Sequence, residues 1–124
     1  MMNGAETDKR KWSRADVRFI VTYGRKVEDA ITDQDISQTK NISEGGMALT
    51  TRKPFSPHTS LALKINVPIA GHPVETIGTV IESKEITRNF IYLTRISFSG
   101  MDYQMRQAIQ QTVAHYLRKN RPQN

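Results

Sequence analysis

The 124-residue chain contains no cysteine. This absence excludes disulfide bonds, thiolate chemistry and cysteine-ligated zinc or iron–sulfur sites. Long hydrophobic runs are also missing, since no apolar stretch approaches the ~18 residues that a membrane-spanning helix requires. The N-terminal sequence, MMNGAETDKR, lacks the apolar core of an export signal. The sequence therefore predicts one folded domain in the cytoplasm, without membrane insertion.

Acidic side chains are scarce in one basic part of the chain. The chain carries 18 Lys and Arg against 12 Asp and Glu, which gives a net charge of +6. Residues 9–26 hold seven basic side chains against Asp16 alone, an excess equal to that of the whole chain. Such a cluster indicates an anionic partner, which means a phosphate ligand, nucleic acid or an acidic membrane surface.

Hydrophobic and polar residues alternate along most of the chain, as is typical of half-buried strands. The first alternation runs from Val17 to Tyr23, and Gly24 is predicted to end that strand. Further strands are predicted at 27–39, around 47–49, and at 61–67, 74–85 and 90–98. Six short strands without intervening helices predict a mainly β fold, an antiparallel barrel or sandwich.

The spacing of apolar residues changes to three and four after Gly100, which predicts a helix over 100–119. Ser99 is predicted to cap this helix, with Asp102 favouring its first turn. The predicted apolar stripe consists of Met101, Met105, Ala108, Ile109, Val113, Tyr116 and Leu117. The helix is therefore expected to bury this stripe against the barrel.

Two arginines at a spacing of four precede the first strand. Arg10 and Arg14 lie on one side of the chain in either a helix or a strand. Their planar donor forks suit phosphate oxygens and the O6/N7 edge of guanine. Taken alone, however, the pair favours a solvated basic segment that leads into the first strand.

A polar turn sequence, Asn41-Ile42-Ser43-Glu44-Gly45-Gly46, follows the second predicted strand. An Asn side chain bonds the backbone two residues ahead, so this sequence predicts a turn. The same geometry can point Asn41 and Ser43 at one ligand, while glycine permits close approach. The segment from Asp35 to Lys40 begins similarly but lacks the glycine, and it is predicted to be ordinary strand.

The two motifs together resemble the PilZ domain, a bacterial receptor module for the second messenger cyclic di-GMP. Its pattern is RxxxR before the first strand and a later D/N-x-S-x-x-G. The resemblance implies a six-stranded antiparallel β-barrel with a C-terminal helix. One departure is Thr94, where family members often have glycine. The resemblance divides the chain into a flexible N-terminus 1–8, a PilZ domain 9–119 (ligand-binding arm 9–16, barrel 17–98, helix 100–119) and a tail 120–124.

The resemblance also implies a role for each motif residue. Arg10 and Arg14 would bind phosphates and guanine edges. Asn41 and Ser43 would hold a guanine from the other side. Gly46 would keep the turn tight. An Asn in place of Asp is expected to bind guanine more weakly, because a neutral acceptor makes weaker hydrogen bonds than a carboxylate.

The resemblance implies that the protein is a receptor rather than an enzyme. Its ligand would be cyclic di-GMP, and it would need no metal or other cofactor. Lys9 and Lys11 beside the first arginine are secondary candidates for ligand contact, and a basic Lys9 favours a stacked pair of ligands. Because the chain is short, its output is expected to pass to an unidentified effector protein or through dimerisation. The signal would be the ordering of residues 9–16 by the ligand.

Two alternatives remain open. The first is a PilZ-fold adaptor that binds a protein without any nucleotide, which the intact arginines disfavour. The second is a small basic β-barrel that binds single-stranded RNA or DNA. Such proteins interleave aromatic and basic residues, whereas the basic arm here has Trp12 alone. Nucleic acid is therefore the less favoured partner.

Overall fold

The computed structural model describes residues 14–67 and 71–119. Within these residues, six strands form a closed barrel in the order β1-β2-β3-β6-β5-β4, and every neighbouring pair is antiparallel. The elements are β1 (Ile20–Val27), β2 (Ala30–Ile42), β3 (Gly46–Thr51), β4 (Ser60–Ile65), β5 (Val74–Thr87), β6 (Ile91–Ser99) and α1 (Tyr103–Lys119). The predicted mainly β fold, a six-stranded barrel followed by a helix, is confirmed.

The first alternation is confirmed by burial, although its strand begins later than predicted. The alternating residues from Val17 to Tyr23 are at most 6% exposed, yet β1 starts only at Ile20. Before Ile20, a buried side chain of β2 takes the place of some of the backbone hydrogen bonds between the two strands. The Phe19 N–H donates to Thr39 Oγ1 at 2.9 Å, and Thr39 Oγ1 donates to the Val17 carbonyl at 2.6 Å. This threonine therefore fastens the entry segment to β2.

The prediction that Gly24 ends the first strand is wrong. β1 continues through Gly24, and the chain reverses only between Val27 and Ala30. The β1–β2 register shifts around this glycine, as at a β-bulge. A Cβ here would lie 2.5 Å from Ile31 Cγ2. The glycine thus allows close packing inside a long hairpin.

The helix is capped by a different residue from the one predicted. The Met105 N–H donates to Asp102 Oδ1 at 2.8 Å, so Asp102 satisfies the first turn of α1. Ser99 instead belongs to β6, where its hydroxyl donates to the Ile77 carbonyl at 3.2 Å. The prediction that Ser99 caps the helix is therefore wrong, because this residue is still hydrogen-bonded within the sheet.

Most of the predicted stripe of α1 packs on the barrel. Ile109 and Val113 are buried, and the Tyr116 ring meets Phe19 edge-on with centroids 5.7 Å apart. Leu117 is 44% exposed, so the buried stripe ends at Tyr116, one residue earlier than its apolar pattern predicted. In the described part of the chain, no helix is both long enough and apolar enough to cross a membrane.

Thr94, the departure from the family pattern, is fully buried and joins neighbouring strands. Its hydroxyl lies 2.8 Å from Thr51 Oγ1 on β3 and 2.7 Å from Ser83 Oγ on β5. Ser83 Oγ in turn accepts the Phe55 N–H at 3.0 Å. This chain of hydroxyls ties three strands to the loop after β3.

Candidate functional site

A groove of about 250 Å³ lies beside the turn that joins β2 to β3. Its lining comes from the segment before β1, from the β2–β3 turn and from β2, β3, β5 and β6: Arg14, Asn41, Ser43, Gly45, Gly46, Met47, Ala48, Ile81, Arg95, Ile96 and Ser97. Four predicted site residues, Arg14, Asn41, Ser43 and Gly46, are therefore brought together. Arg10, Lys9 and Lys11 lie outside the described residues.

Arg14 is held at the groove by a two-way backbone bridge. The Ala15 N–H donates to the Ile42 carbonyl, and the Ile42 N–H donates to the Ala15 carbonyl, each at 3.0 Å. In this antiparallel pairing Arg14 stands opposite Ser43. Two motifs that are distant in sequence therefore meet because the entry segment pairs with the end of β2.

The turn predicted at the second motif is present, and the hydroxyl of Ser43 stabilises it. Ser43 N–H donates to the Gly46 carbonyl at 2.8 Å, while Gly45 N–H donates to Ser43 Oγ at 3.2 Å. The Gly45 carbonyl accepts the Phe98 N–H of β6 at 2.9 Å. The turn is consequently fixed both internally and to the neighbouring strand, with Ser43 only 6% exposed.

Gly46 is needed for strand packing rather than for an unusual turn angle. Its φ lies outside the left-handed region, but a Cβ at this position would overlap the Ile96 carbonyl oxygen. The same Cβ would lie 3.1 Å from Ser97 Cα. Only glycine therefore lets β3 begin this close to β6.

Outward-facing residues of four adjacent strands form a row, and the first three of them line the groove. Asn41 of β2 pairs with Ala48 of β3, Ala48 pairs with Arg95 of β6, and Arg95 pairs with Glu82 of β5. Sequence reasoning missed Ala48 and Arg95. The strand alternation predicts that Arg95 points outward, but nothing local predicts that β6 lies beside β3.

The charges in the groove favour an anion. Arg14 and Arg95 both line it, and the carboxylate nearest to Arg95 is a weak partner. Glu82 Oε2 lies 3.6 Å from Arg95 Nε, and both side chains are about half exposed. Such solvent-exposed pairs contribute little, about 0–1 kcal/mol. An anionic ligand can therefore compete for this arginine at small cost.

A second cavity of about 260 Å³ lies at the opposite end of β2 and holds charges of both signs. Lys53 Nζ is 3.1 Å from Asp33 Oδ1, and Arg52 Nε is 4.0 Å from Asp35 Oδ2. Burial, followed by the nearby charge of Asp35, raises the pKa of the Tyr23 hydroxyl. Because its cations already face carboxylates, this cavity is a poorer anion site than the groove.

Metal-ligating side chains are not clustered in the described part of the chain. Across residues 14–67 and 71–119, no group of three or more His, Asp or Glu residues could hold a metal ion. The groove itself is lined by two arginines, an amide, hydroxyl groups and backbone groups.

Comparison with known proteins gives one family. The family model for the PilZ domain matches residues 8–115. No curated protein matches the chain significantly. Among solved structures, the Bacillus subtilis inhibitor of motility MotI/DgrA has a TM-score of 0.76 at 22% identity, covering 92% of this chain and 53% of that one.

Two further solved structures share the fold. The PilZ domain of YcgR from Escherichia coli, solved with c-di-GMP, has a TM-score of 0.67 at 15% identity and covers 90% of this chain and 94% of that one. The K. pneumonia MrkH–c-di-GMP complex has a TM-score of 0.68 at 17% identity, with coverages of 90% and 54%. The chain thus spans about half the length of MotI/DgrA and of MrkH. With the family model matching residues 8–115 and the barrel shared with these structures, this chain belongs to the PilZ domain family.

Proposed function

We propose that this protein is a non-enzymatic receptor for cyclic di-GMP and that the ligand occupies the groove beside the β2–β3 turn. The observation that supports this proposal is the convergence of Arg14 with Asn41 and Ser43, which come from two separate motifs. The similar PilZ folds of YcgR and MrkH were solved with c-di-GMP. We infer the same ligand class here from these shared features together.

The side chains of the groove offer complementary chemistry to such a ligand. The Arg14 guanidinium can donate paired hydrogen bonds to a phosphate or to guanine O6 and N7. The Asn41 amide oxygen can accept from a guanine N–H. Ser43 keeps the turn in shape, because its hydroxyl accepts the Gly45 N–H at 3.2 Å. Gly46 lets the turn lie close against β6, because a Cβ there would overlap the Ile96 carbonyl oxygen.

We assign Arg10 to the same ligand on the basis of its motif, with Lys9 and Lys11 as secondary contacts. The sequence predicted that the ligand orders residues 9–16, but Ala15 is already paired with Ile42, so in this proposal cyclic di-GMP orders residues 9–13 against the barrel. The altered surface is presented to an effector protein in the bacterial cytoplasm. The high positive charge of this segment supports the proposal, because a dianionic ligand relieves the repulsion among its cations.

Calorimetric titration with cyclic di-GMP tests the receptor function. Arg14→Ala is expected to weaken binding at least tenfold, because a hydrogen bond to a charged group contributes about 1.5–3 kcal/mol. Arg18→Ala is the matched control, since Arg18 is exposed and does not line the groove. A parallel titration uses a single-stranded oligonucleotide. Binding of the oligonucleotide but not of cyclic di-GMP would refute the proposal.

Truncation together with hydrogen exchange tests the ordering of the arm. Deletion of residues 1–8 is expected to leave binding unchanged, whereas deletion of residues 1–13 removes Arg10 and weakens it strongly. Both truncated proteins are expected to fold, because the Ala15–Ile42 bridge and the barrel remain. Amides of residues 9–13 are expected to exchange quickly without ligand and slowly with it. Equal protection in both states would contradict ordering by the ligand.

A further inference from the structure

We propose that Ala48 and Arg95 form the second half of the nucleotide site. The methyl group of Ala48 would serve as the floor on which one guanine base lies, and the Arg95 guanidinium would donate to the O6/N7 edge of that base. This inference rests on the proposed function and extends it, because neither residue belongs to the two motifs. It makes Arg95 a determinant of guanine specificity.

The placement of the three residues follows from strand register. Asn41 pairs with Ala48 across β2 and β3, and Ala48 pairs with Arg95 across β3 and β6. Adjacent strands are ~4.8 Å apart, so Asn41 and Arg95 stand about 10 Å apart with Ala48 between them. Both flanking side chains are long enough to reach over the smaller one. The row therefore has a low centre between two polar walls.

Burial places these side chains on the outside of the barrel. The chain neighbours of Arg95, Thr94 and Ile96, are buried at 0% and 2% exposure, whereas Arg95 is half exposed. Since side chains alternate along a strand, Arg95 points away from the core. Ala48 stands opposite Arg95 in the register and so shares its face. It is nevertheless only 4% exposed, as expected for a small residue at the bottom of a groove.

The chemistry of the two walls matches the two edges of guanine. Guanine presents N–H donors on one edge, which the Asn41 amide oxygen can accept, and the acceptors O6 and N7 on another. Arg95 can donate to both acceptors at once, whereas adenine offers an N–H donor where guanine has O6. Glu82 approaches Nε of Arg95 at 3.6 Å, and we assign the two terminal nitrogens to the base.

A thermodynamic cycle on the ligand tests the assignment of Arg95. Affinities of the wild type and of Arg95→Gln are measured for cyclic di-GMP and for its 7-deaza analogue, in which a C–H replaces N7. Arg95→Gln is expected to weaken cyclic di-GMP binding about fivefold or more, the lower end for a bidentate contact to a base. Removal of N7 is expected to cost the wild type more affinity than it costs the variant. The control is Arg88→Gln, an exposed arginine in the β5–β6 turn that does not line the groove.

A pair of alanine variants tests the floor. Ala48→Val adds two methyl groups at the bottom of the groove and is expected to weaken cyclic di-GMP binding at least tenfold. Ala62→Val places the same side chain on β4, between the buried residues Leu61 and Leu63 and away from the groove. Valine is well tolerated in strands, so both variants are expected to fold. Thermal unfolding of each variant verifies this expectation.

The outcomes separate this inference from the proposed function. A wild type that does not bind cyclic di-GMP would overturn both. If the wild type binds cyclic di-GMP, but removal of N7 from the ligand costs Arg95→Gln as much affinity as it costs the wild type, the assignment of Arg95 alone would be overturned. Unchanged affinity in a folded Ala48→Val variant would overturn the floor. Arg95→Lys gives a further check, since a lysine keeps the charge but lacks the planar fork and is expected to restore only part of the affinity.

Discussion

Replacement of Gly46 by alanine is predicted to destabilise the barrel at the edge of the groove. The added Cβ would overlap the carbonyl oxygen of Ile96, which belongs to the backbone of β6 and cannot rotate away. It would also lie 3.1 Å from Ser97 Cα. Relief requires the start of β3 to move away from β6, which strains the hydrogen bond from the Phe98 N–H to the Gly45 carbonyl.

The loss of stability expected from Gly46→Ala can be estimated. Forcing an extra carbon into a packed site typically costs about 1–3 kcal/mol. A domain of roughly 100 residues shifts its Tm by about 4 °C for each kcal/mol, so Gly46→Ala is expected to lower the Tm by about 4–12 °C. Global stability is typically about 5–15 kcal/mol, and the variant is therefore expected to fold at room temperature.

Thermal unfolding followed by circular dichroism measures this effect. Ser97→Ala is the matched control, because Ser97 pairs with Gly46 across the same two strands and its truncation adds no atom. We expect this control to change stability by less than about 0.5 kcal/mol. A Gly46→Ala variant that melts within a degree of the wild type would refute the steric reasoning, and the glycine would then have to be explained by the ligand alone.

Three further predictions concern the site, the hydroxyl chain and the response to pH. Asn41→Asp is expected to keep or tighten cyclic di-GMP binding, because a carboxylate accepts guanine N–H bonds more strongly. Asp35→Ala is expected to leave the affinity unchanged. Calorimetry in which Asn41→Asp weakens binding and Asp35→Ala changes it would contradict the choice of motif. Thr94→Val removes the hydroxyl bonded to Thr51 and Ser83 and is expected to cost about 1–3 kcal/mol in urea unfolding, with ligand affinity unchanged. The pKa of Tyr23 is raised in the folded state, so its contribution to stability is complete below the unfolded value of about 10 and is lost as the pH rises further. Tyr23→Phe is expected to reduce this loss of stability at alkaline pH in melting experiments. An equal loss in the variant would contradict the role of Tyr23.

The sequence predicted the fold where burial is periodic. The alternation from Val17 to Tyr23 and the helical positions of Ile109 and Val113 identify buried faces without any knowledge of what those faces contact. Local rules failed where a distant partner decides the outcome. Gly24 is the usual sign of a strand end, yet here it accommodates a side chain from the opposite strand.

The residues of the candidate site likewise fall into those that local sequence identifies and those that distant strand pairing brings together. Asn41 and Ser43 belong to one short motif, so sequence alone could place them together. Their meeting with Arg14 depends on the pairing of the entry segment with β2, and only the resemblance to a family predicted it. Ala48 and Arg95 belong to no motif. They become neighbours through the pairing of β3 with β6, two strands that are far apart in the chain.

The reciprocal bonds between Ala15 and Ile42 have a consequence for the thermodynamics of recognition. Because they form on folding, the backbone that carries Arg14 is already oriented toward Ser43 in the absence of a ligand. Its conformational entropy is thus lost during folding and not during association. Preorganised contacts gain affinity mainly because this cost does not recur on binding. A mononucleotide confined to this half of the groove should therefore retain a larger free energy of binding per atom than a dinucleotide that must also immobilise groups elsewhere.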